Sequence, residues 1–417
     1  MQRLILILGI LSFLMDWYAF QGVKRLTARW QSSRWRFVVY WAYWFFFIGF
    51  IIGFSLALYL RFSSDHTSGF TQWAINAFLT LFVTKLVFIL VLFAEDIYRV
   101  VAAAFRFLQP RRSAAARKPL LPARRKFVSQ AALVLAGIPF AAFVYGIVKG
   151  KYDYTVHRHT LYFDDLPEAF DGFTITQLSD IHSGSFDDAE AVQRGVELAQ
   201  AQKSDLFVFT GDLVNDYASE IVPWLDHFSK LRAPYGQFSI LGNHDYGMYV
   251  DWPSEAAQEA NLDRLKQHHK ELGYRLLLDE HVTIEKDGQQ LALLGVENWG
   301  TGFIQRGDLN KALLGVDEKA FKILLSHDPS HFEEIVKQHP THIHLTLSGH
   351  THGMQMGIET PLVRWSPAQY RYKNWAGLAQ ENNRRLYVNR GFGFLGFSGR
   401  VGIWPEITVL ELRKRKA

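Results

Sequence analysis

Long apolar runs fill the first third of the chain and predict membrane-spanning helices. Residues 37–60 and 127–148 contain no charged side chain, and residues 73–94 contain only Lys85. At about 1.5 Å of rise per residue, each run is long enough to cross a hydrocarbon core of about 30 Å. The pattern therefore predicts an N-terminal all-α transmembrane bundle of about four helices in a domain of residues 1–150, at 3–22, 37–60, 73–98 and 127–148.

The first run, 3–22, admits two interpretations. A cleaved signal peptide also begins with a short apolar stretch, but this run has no small-x-small cleavage site and further spans follow it, so we interpret it as an anchor. It contains Asp16, which lies at a depth similar to that of Lys85 in the third span, roughly 18–20 Å. Because charges at that depth are costly unless paired, we predict an ion pair between them. The alternative is that Lys85 extends to the surface and Asp16 faces a polar neighbour.

From residue 170 onward the apolar runs become short and alternate with helical patterns. Runs that are almost free of charge and bounded by Gly or polar residues predict strands buried on both faces of an α/β sheet. The intervening segments 187–202 and 253–272 have helical patterns with acids in the first turn. The predicted strands are 173–178, 205–210, 237–241, 322–325 and 343–347. Residues 151–417 therefore predict an α/β catalytic domain.

A motif that carries histidine or carboxylate follows each predicted strand. The motifs are SDIH (179–182), GDLVND (211–216), GNHD (242–245), SHDP (326–329) and GHTHG (349–353). Ligands bind at the carboxyl ends of strands in such sheets, so we expect the loops to converge on one site. Imidazole and carboxylate groups bind Mn, Fe or Zn, and one carboxylate can bridge two ions about 3.5–4 Å apart. The set therefore predicts two divalent metal ions, with Asp180, His182, Asp212, Asn243, His244, His327, His350 and His352 as candidate residues.

These residues also predict a hydrolytic chemistry. Two cations lower the pKa of a bound water, giving a hydroxide nucleophile, and neutralise the phosphoryl oxygens. The absence of Cys excludes a thiolate mechanism, and no Ser lies in a recognisable nucleophile elbow. A general acid must protonate the leaving alkoxide, and His244 can do so near neutral pH. Its neighbour Asp245 is predicted either to stabilise the imidazolium or to satisfy backbone groups of a turn.

The order of the five motifs resembles that of the calcineurin-like metallophosphoesterase family, over roughly residues 170–413. The resemblance implies two packed mixed β-sheets flanked by helices, with a dinuclear centre that hydrolyses phosphate esters. His244 resembles the family's catalytic histidine that is not a ligand. The resemblance also implies a first metal ion on Asp180, His182 and His352, a second on Asn243, His327 and His350, and Asp212 as the bridge.

The C-terminal stretch 386–409 predicts a strand, a glycine-rich loop and a closing strand. Its glycine-rich segment and the PEI triplet (405–407) resemble the membrane-attached bacterial YkuE-type branch of the family. From this loop, Arg390 or Arg400 is predicted to reach a substrate phosphate. The alternative for both residues is a surface arginine on a glycine turn.

Charge predicts the orientation in the membrane. Residues 22–36 hold five Lys or Arg and residues 99–126 hold nine, with no acid in either, whereas residues 61–72 hold only Arg61, opposed by Asp65. Both basic loops are predicted on the cytoplasmic side, so the fourth span leads outward and the catalytic domain is extracytoplasmic. The sequence RRKFV (124–128) also resembles a twin-arginine export signal, although ordinary positive-inside charge explains most of the same residues.

The formal charge differs between the two parts of the chain. Residues 1–150 carry 18 Lys and Arg against four acids, and residues 151–417 carry 27 against 36. The overall charge of +5 therefore comes from the membrane part. An acidic catalytic domain repels a polyanion, which argues against nucleic acid as a partner. The predicted partners are the lipid bilayer and a phosphate ester derived from lipid or the cell envelope.

We interpret the chain as a multi-pass protein of the cytoplasmic membrane that hydrolyses phosphate mono- or diesters. A nucleotide or nucleic-acid phosphodiesterase would share every motif. A lipid-linked pyrophosphate hydrolase of the UDP-diacylglucosamine type is another alternative, but that substrate faces the cytoplasm. A non-catalytic metal-binding membrane sensor predicts a damaged ligand set, whereas the ligand set in this sequence is complete.

Overall fold

The computed structural model describes residues 2–28, 30–63, 69–108 and 122–415. The chain divides into two compact units, Met1–Tyr145 and Gly146–Ala417. Most of the described residues of the first unit are helical, and the second unit combines strands and helices. The predicted fold class, a helical apolar region followed by an α/β domain, is confirmed.

Four helices make up the described part of the first unit and the start of the second. They are α1 (Gln2–Thr27), α2 (Ser33–Ser63), α3 (Gly69–Leu108) and α4 (Pro122–Val148). Stretches 33–60, 69–105 and 127–148 of α2, α3 and α4 are long and apolar enough to cross a membrane, whereas spanning by α1 stays a prediction. Helix α3 runs ten residues beyond the predicted end at 98 and takes in part of the basic segment 99–126. Residues 109–121 of that segment, and Asp65, lie outside the described residues.

The predicted ion pair in the helical unit is confirmed. Lys85 Nζ lies 2.7 Å from Oδ1 and 2.9 Å from Oδ2 of Asp16. The Tyr43 hydroxyl donates to Asp16 Oδ1 at 2.8 Å, so one carboxylate joins α1, α2 and α3. A separate contact joins α1 and α3 further along, where the Tyr18 hydroxyl donates to Asp96 Oδ2 at 2.9 Å.

The second unit contains two six-stranded mixed sheets, as predicted. The first has the strand order β1-β14-β2-β3-β4-β5, and the second has the order β12-β13-β9-β8-β7-β6. The strands are β1 (Thr155–Phe163), β2 (Phe173–Leu178), β3 (Leu206–Phe209), β4 (Gln237–Ser239), β5 (Arg275–Leu276), β6 (Glu280–Lys286), β7 (Gln289–Gly295), β8 (Phe321–Leu325), β9 (Leu345–Ser348), β10 (Ile358–Glu359), β11 (Arg364–Trp365), β12 (Gly377–Glu381), β13 (Arg384–Val388) and β14 (Glu406–Lys414). Strands β10 and β11 form a separate antiparallel hairpin.

Helices cover the outer faces of the two sheets. They are α5 (Ala189–Gln200), α6 (Leu225–Phe228), α7 (Glu255–Glu271), α8 (Leu309–Ala312) and α9 (Pro329–Glu334). Helix α5 begins at Asp188, whose side chain accepts from Ala191 N, and it buries Val192 and Val196 against the first sheet. The largest core cluster lies between the sheets and contains Ile175 and Val208 from one and Leu293 from the other. Apolar burial on both faces explains why these strands are almost free of charge.

The parallel strands bring all five motifs to one edge. In the first sheet β2, β3 and β4 run parallel, and in the second β8 runs parallel to β9. Gln177 Nε2 donates to Ser348 O at 2.8 Å, which ties the end of β2 to the end of β9 across the two sheets. The loops that leave these strand ends therefore face one another.

Candidate metal centre

Two groups of side chains that could hold a metal ion form where the loops meet. Asp180, His182 and His352 each offer one ligand atom, and these atoms lie within 4.8 Å of one another. Asp212, His327 and His350 form a second group with the same property. All six side chains are buried or nearly so.

The carboxylate of Asp212 lies between the two groups. Its Oδ1 accepts the backbone N–H of His244 at 2.8 Å. Its Oδ2 lies 3.6 Å from His182 Nε2 in the first group and 3.1 Å from His327 Nε2 in the second. Because one oxygen is occupied by the backbone, a single oxygen faces both groups. That is the arrangement that a bridging carboxylate requires.

Buried polar atoms without a hydrogen-bond partner are concentrated at this point. Among the described residues they include both ring nitrogens of His182, Asp212 Oδ2, Asn243 Oδ1 and His352 Nε2. The Asn243 amide nitrogen donates to the Tyr249 hydroxyl at 2.8 Å, which leaves the amide oxygen for another partner. Each unsatisfied buried polar group costs roughly 1–3 kcal/mol. Nitrogen and oxygen donors of this kind bind Mn, Fe or Zn, so the residues fit two divalent cations.

Outer contacts orient two of the histidines. His327 Nδ1 lies 2.7 Å from the carbonyl oxygen of Thr210, and this contact directs Nε2 into the centre. His350 Nε2 lies 2.8 Å from the Tyr372 hydroxyl and 3.3 Å from Asp328 Oδ2. The inward atoms, His327 Nε2 and His350 Nδ1, are then 3.2 Å apart and point at a common position. Carboxylate and carbonyl partners of this type fix the tautomer of metal-binding histidines.

The backbone at the centre adopts conformations that most residues avoid. Five of the seven predicted ligands have left-handed φ values between 47° and 70°, namely Asp180, His182, Asp212, His350 and His352. Such conformations cost about 1–3 kcal/mol each and persist where the surroundings fix them. Gly349 is required for close packing, because a Cβ there would overlap Ser179 Oγ and Asp180 Oδ2. The GHTHG and SDIH loops can approach this closely only with glycine at that position.

The structure gives His244 and Asp245 different surroundings. His244 Nδ1 lies 2.7 Å from the carbonyl oxygen of Asn215. The half-buried ring lines the pocket, and its second nitrogen, Nε2, is left for another partner. Asp245 is fully buried and does not contact the His244 ring. Its carboxylate accepts backbone N–H groups of Gly242, Asp212, Leu213 and Val214 at 2.8–3.3 Å. Of the two roles predicted for Asp245, these contacts support the one in which the carboxylate satisfies backbone groups of a turn, and not the one in which it stabilises an imidazolium.

Charges in the centre perturb one another strongly. Burial acts to raise the pKa of Asp212, but His327 and His244 outweigh it and hold that pKa well below its usual range. Burial, and then repulsion from Asp212, raises the pKa of Asp245 to about 7. Burial lowers the pKa of His182, which keeps the ring in the neutral form that binds metals. The pKa values of Asp180 and Asp212 are both lowered, so the two carboxylates are ionised and make a site that attracts cations.

Neither arginine predicted to bind substrate lies in the pocket. Arg390 is buried and forms ion pairs with Glu359 and Glu406, each at 2.5 Å. Arg400 is also fully buried, donates from Nε to Gly393 O at 3.0 Å, and contacts His352 Nδ1 at 3.1 Å. The physical reason is that the glycine-rich loop folds inward behind the predicted metal ligands, so both guanidinium groups support the loop instead of facing solvent.

A different arginine lines the pocket above the two groups. The cavity is about 190 Å³ and is lined by five of the seven predicted ligands together with His244, Phe303, Thr351, Met354, Ala368, Arg371, Tyr372 and Leu395. The Arg371 guanidinium lies 4.6 Å from the Phe303 ring centroid and 5.5 Å from that of Tyr372. Among the described residues, no carboxylate forms an ion pair with Arg371. Sequence reasoning missed it because it lies outside every motif, in the segment that follows GHTHG.

Comparison with known proteins identifies the family. Residues 173–354 match the profile described as "Calcineurin-like phosphoesterase", and residues 2–151 match "Probable Calcineurin-like phosphoesterase, transmembrane domain". An uncharacterized metallophosphoesterase of Aquifex aeolicus is 30% identical over 62% of this chain and 91% of its own length. The chain belongs to the calcineurin-like metallophosphoesterase family.

Other calcineurin-like metallophosphoesterases are similar over the same part of the chain. The uncharacterized metallophosphoesterase YkuE of Bacillus subtilis is 29% identical over 61% of this chain and 84% of its own length. YkoQ of the same organism is 27% identical over 67% of this chain and 98% of its own length. The chain is therefore a metal-dependent phosphoric ester hydrolase with a transmembrane domain. The family generally uses two divalent metal ions, which agrees with the two groups of metal-binding side chains.

Proposed function

We propose that this metallophosphoesterase hydrolyses phosphate mono- or diesters with a dinuclear centre outside the cytoplasmic membrane. The observation that carries the proposal is the position of Asp212 Oδ2, which makes no hydrogen bond among the described residues and faces both ligand groups. We assign Asp180, His182 and His352 to one ion and Asn243, His327 and His350 to the other, with Asp212 shared. The ions are Mn, Fe or Zn, in keeping with the nitrogen and oxygen ligands.

When bound, the two cations would activate a water molecule and neutralise charge on the phosphoryl oxygens. The side chains of the protein have the remaining tasks of orientation and proton transfer. His244 is proposed as the general acid, since its Nδ1 is held by the Asn215 carbonyl and its Nε2 is the atom free to exchange a proton. Asp245 acts indirectly, by holding the backbone of the two loops that carry Asp212 and His244.

Arg371 is proposed to bind the substrate phosphate in place of the two buried arginines. Its guanidinium is exposed at the pocket and lies over the Phe303 ring, a cation–π contact that restricts the motion of the fork. A guanidinium forms two parallel hydrogen bonds with a phosphate, so a pre-oriented fork favours a phosphoryl group held over the metal ions. The cation–π contact also reduces the entropy lost on binding.

The proposed extracytoplasmic location rests on the charge of the membrane part. The segments 22–36 and 99–126 carry 14 Lys and Arg and no acid, and short basic loops stay in the cytoplasm. With four spans, the α/β unit then follows the last span on the outer side. Because the chain contains no Cys, a single introduced thiol can test this. A membrane-impermeant maleimide should label Leu314→Cys in intact cells, whereas labelling that requires permeabilisation would contradict the outer location.

One experiment tests the hydrolytic function directly. The purified full-length protein should contain two transition-metal ions per chain and lose activity with a chelator, and one of Mn, Fe or Zn should restore it. Hydrolysis should be measured on matched phosphomonoesters, phosphodiesters, nucleotides and phospholipid head groups. Protein that holds two ions and hydrolyses none of these esters would contradict the proposal.

A further inference from the structure

The hairpin of β10 and β11 forms an exposed apolar wall beside the pocket. Its turn, residues 360–363, has Leu362 at the tip with 95% of the side chain exposed, and Val363 follows at 51%. Ile358 and Trp365 are paired across the two strands and are also exposed. A cluster of exposed apolar side chains at a loop tip is costly in water and marks a contact surface.

The hairpin is held rigidly on the metal centre. Residues 354–357 connect the GHTHG motif to the hairpin's first strand, and Met354 in this connection lines the same pocket as five of the predicted ligands. Glu359 in β10 accepts Arg390 Nε at 2.9 Å, so the buried arginine anchors the hairpin. After β11, the Ser366 hydroxyl donates to Gly353 O at 2.6 Å, and the chain returns to the pocket at Arg371. The apolar tip and the catalytic pocket are therefore parts of one fixed element.

The base of the hairpin adjoins the end of the last apolar helix. Gly357 N donates to Val401 O at 2.9 Å, and Arg400 N donates to Gly146 O at 3.2 Å. Gly146 belongs to the same compact unit as the hairpin and lies in the last turn of α4, within the apolar stretch 127–148. A helix of that stretch must end at the surface of a bilayer. Two backbone hydrogen bonds therefore link the hairpin base to residue 146, in the part of the apolar stretch that belongs to the second unit.

Charge and aromatic side chains beside the tip fit a lipid surface. Arg364 pairs with Glu359 and Lys373 pairs with Glu381, whereas Arg371 is exposed and forms no ion pair among the described residues. The Arg371 guanidinium therefore suits an anionic head group. Trp365 Nε1 lies 3.4 Å from the Tyr370 hydroxyl, and Tyr370 is 79% exposed. Tryptophan and tyrosine are enriched where proteins meet the interfacial region of membranes.

We propose that the β10–β11 hairpin inserts its tip into the interfacial region of a phospholipid bilayer. The second part of the proposal rests on the proposed phosphoesterase function: the hairpin presents the phosphate ester of a lipid-linked substrate to the pocket. The apolar tip would contact the acyl chains while Arg371, at the other end of the same segment, faces the metal centre. A second copy of the chain is the competing occupant of this surface.

Single-cysteine labelling tests the contact without reference to catalysis. Full-length Leu362→Cys, labelled with a bimane fluorophore in phosphatidylcholine and phosphatidylglycerol vesicles, should be quenched by nitroxide-labelled lipids. Leu314→Cys is the matched control, because Leu314 is 72% exposed. Leu314 follows α8, which contacts His281 of β6, and β6 is the edge strand of the second sheet opposite β12. Equal quenching at the two positions would overturn the proposal. Disulfide-linked dimers of Leu362→Cys without lipid quenching would overturn it in favour of a second copy.

Paired substrates test delivery to the pocket. Leu362→Glu should lower hydrolysis of phosphatidic acid in vesicles roughly tenfold, because a charged tip no longer favours the apolar region. Hydrolysis of soluble p-nitrophenyl phosphate should stay within about twofold, and Leu314→Glu should change neither rate. Equal losses on both esters, or no loss on either, would overturn delivery of a lipid substrate. If the metal-loaded wild type hydrolyses neither ester, the proposed function fails, while the labelling result still decides the lipid contact.

Discussion

Lys85 of α3 contacts both carboxylate oxygens of Asp16 of α1, at 2.7 and 2.9 Å, and α3 is long and apolar enough to cross a membrane. Asp16 is nearly fully buried, so its carboxylate depends on this partner and on the Tyr43 hydroxyl. Removing one member of a buried pair leaves an uncompensated charge and typically costs about 3–5 kcal/mol. The pair therefore holds α1 against α3.

We expect Asp16→Ala and Lys85→Ala each to lower the amount of folded protein in the membrane. The double variant should recover part of that loss, because it removes both charges together. The measurement is a double-mutant cycle on the folded fraction in detergent. Asp16→Ala combined with Asp96→Ala is the control, since Asp96 belongs to the separate contact with Tyr18, and these losses should add. Strict additivity for Asp16 and Lys85 would exclude a stabilising pair.

Asp212→Asn should remove metal from both sites and reduce turnover by several orders of magnitude. The reason is that Oδ2 faces both ligand groups, whereas Oδ1 is used by the His244 backbone. His350→Ala should mainly empty one site, since its inward nitrogen faces only the His327 group. Elemental analysis and turnover measure both effects, with Asp226→Asn as an exposed carboxylate control. Two retained ions and near-normal turnover in Asp212→Asn would rule out the bridge.

His244→Ala should keep metal binding but lose roughly 10²–10⁴-fold in rate on esters with poor leaving groups. The substitution retains the backbone N–H that holds Asp212, so the effect isolates the ring. The loss should shrink for p-nitrophenyl esters, whose leaving group needs little protonation. Rates on a series of leaving groups provide the measurement, and an equal loss across the series would indicate phosphate binding instead.

Asp245→Asn should act on structure and not on proton transfer. An amide nitrogen in place of one carboxylate oxygen cannot accept the backbone N–H groups of the GDLVND and GNHD loops. Each N–H left unsatisfied costs roughly 1–3 kcal/mol, so unfolding temperature and metal occupancy should both fall. The residual activity should keep the wild-type dependence on the leaving group. A changed dependence with full metal content would instead support a direct partnership with His244.

Arg371→Ala should lower kcat/KM by roughly 10- to 100-fold through loss of charge-assisted hydrogen bonds to the phosphate. Arg371→Lys should recover only part, because an ammonium group lacks the planar fork. Lys373→Ala, two residues further on and paired with Glu381, is the control for local charge. Steady-state kinetics with unchanged metal content provide the measurement. A kcat/KM of Arg371→Ala equal to that of the control would remove Arg371 from substrate binding.

Several features of this protein could be predicted from sequence because they are local. The long apolar runs, charge-free except for Lys85, predict α2, α3 and α4, and the short β-branched runs end where the five motifs begin, as observed for β2 and β9. Residues at equal depth in neighbouring spans can meet, which is why the Asp16–Lys85 pair could be predicted by counting residues. Parallel strands end at one edge, which explains why the predicted ligands meet.

Other features depend on contacts between residues distant in sequence, and only the tertiary structure decided them. Arg390 sits on a glycine-rich loop, but Glu359, 31 residues away, pairs with it and removes it from the pocket. Asp245 adjoins His244 in sequence, yet its carboxylate is drawn to backbone N–H groups of a loop more than 30 residues away. Arg371 lies at the pocket because the chain returns there after the β10–β11 hairpin. The sequence determined the strand ends, the apolar spans and the kind of chemistry, because periodicity and residue type act locally. The partner of each charged side chain depends on which loops pack together, and that is a property of the folded chain.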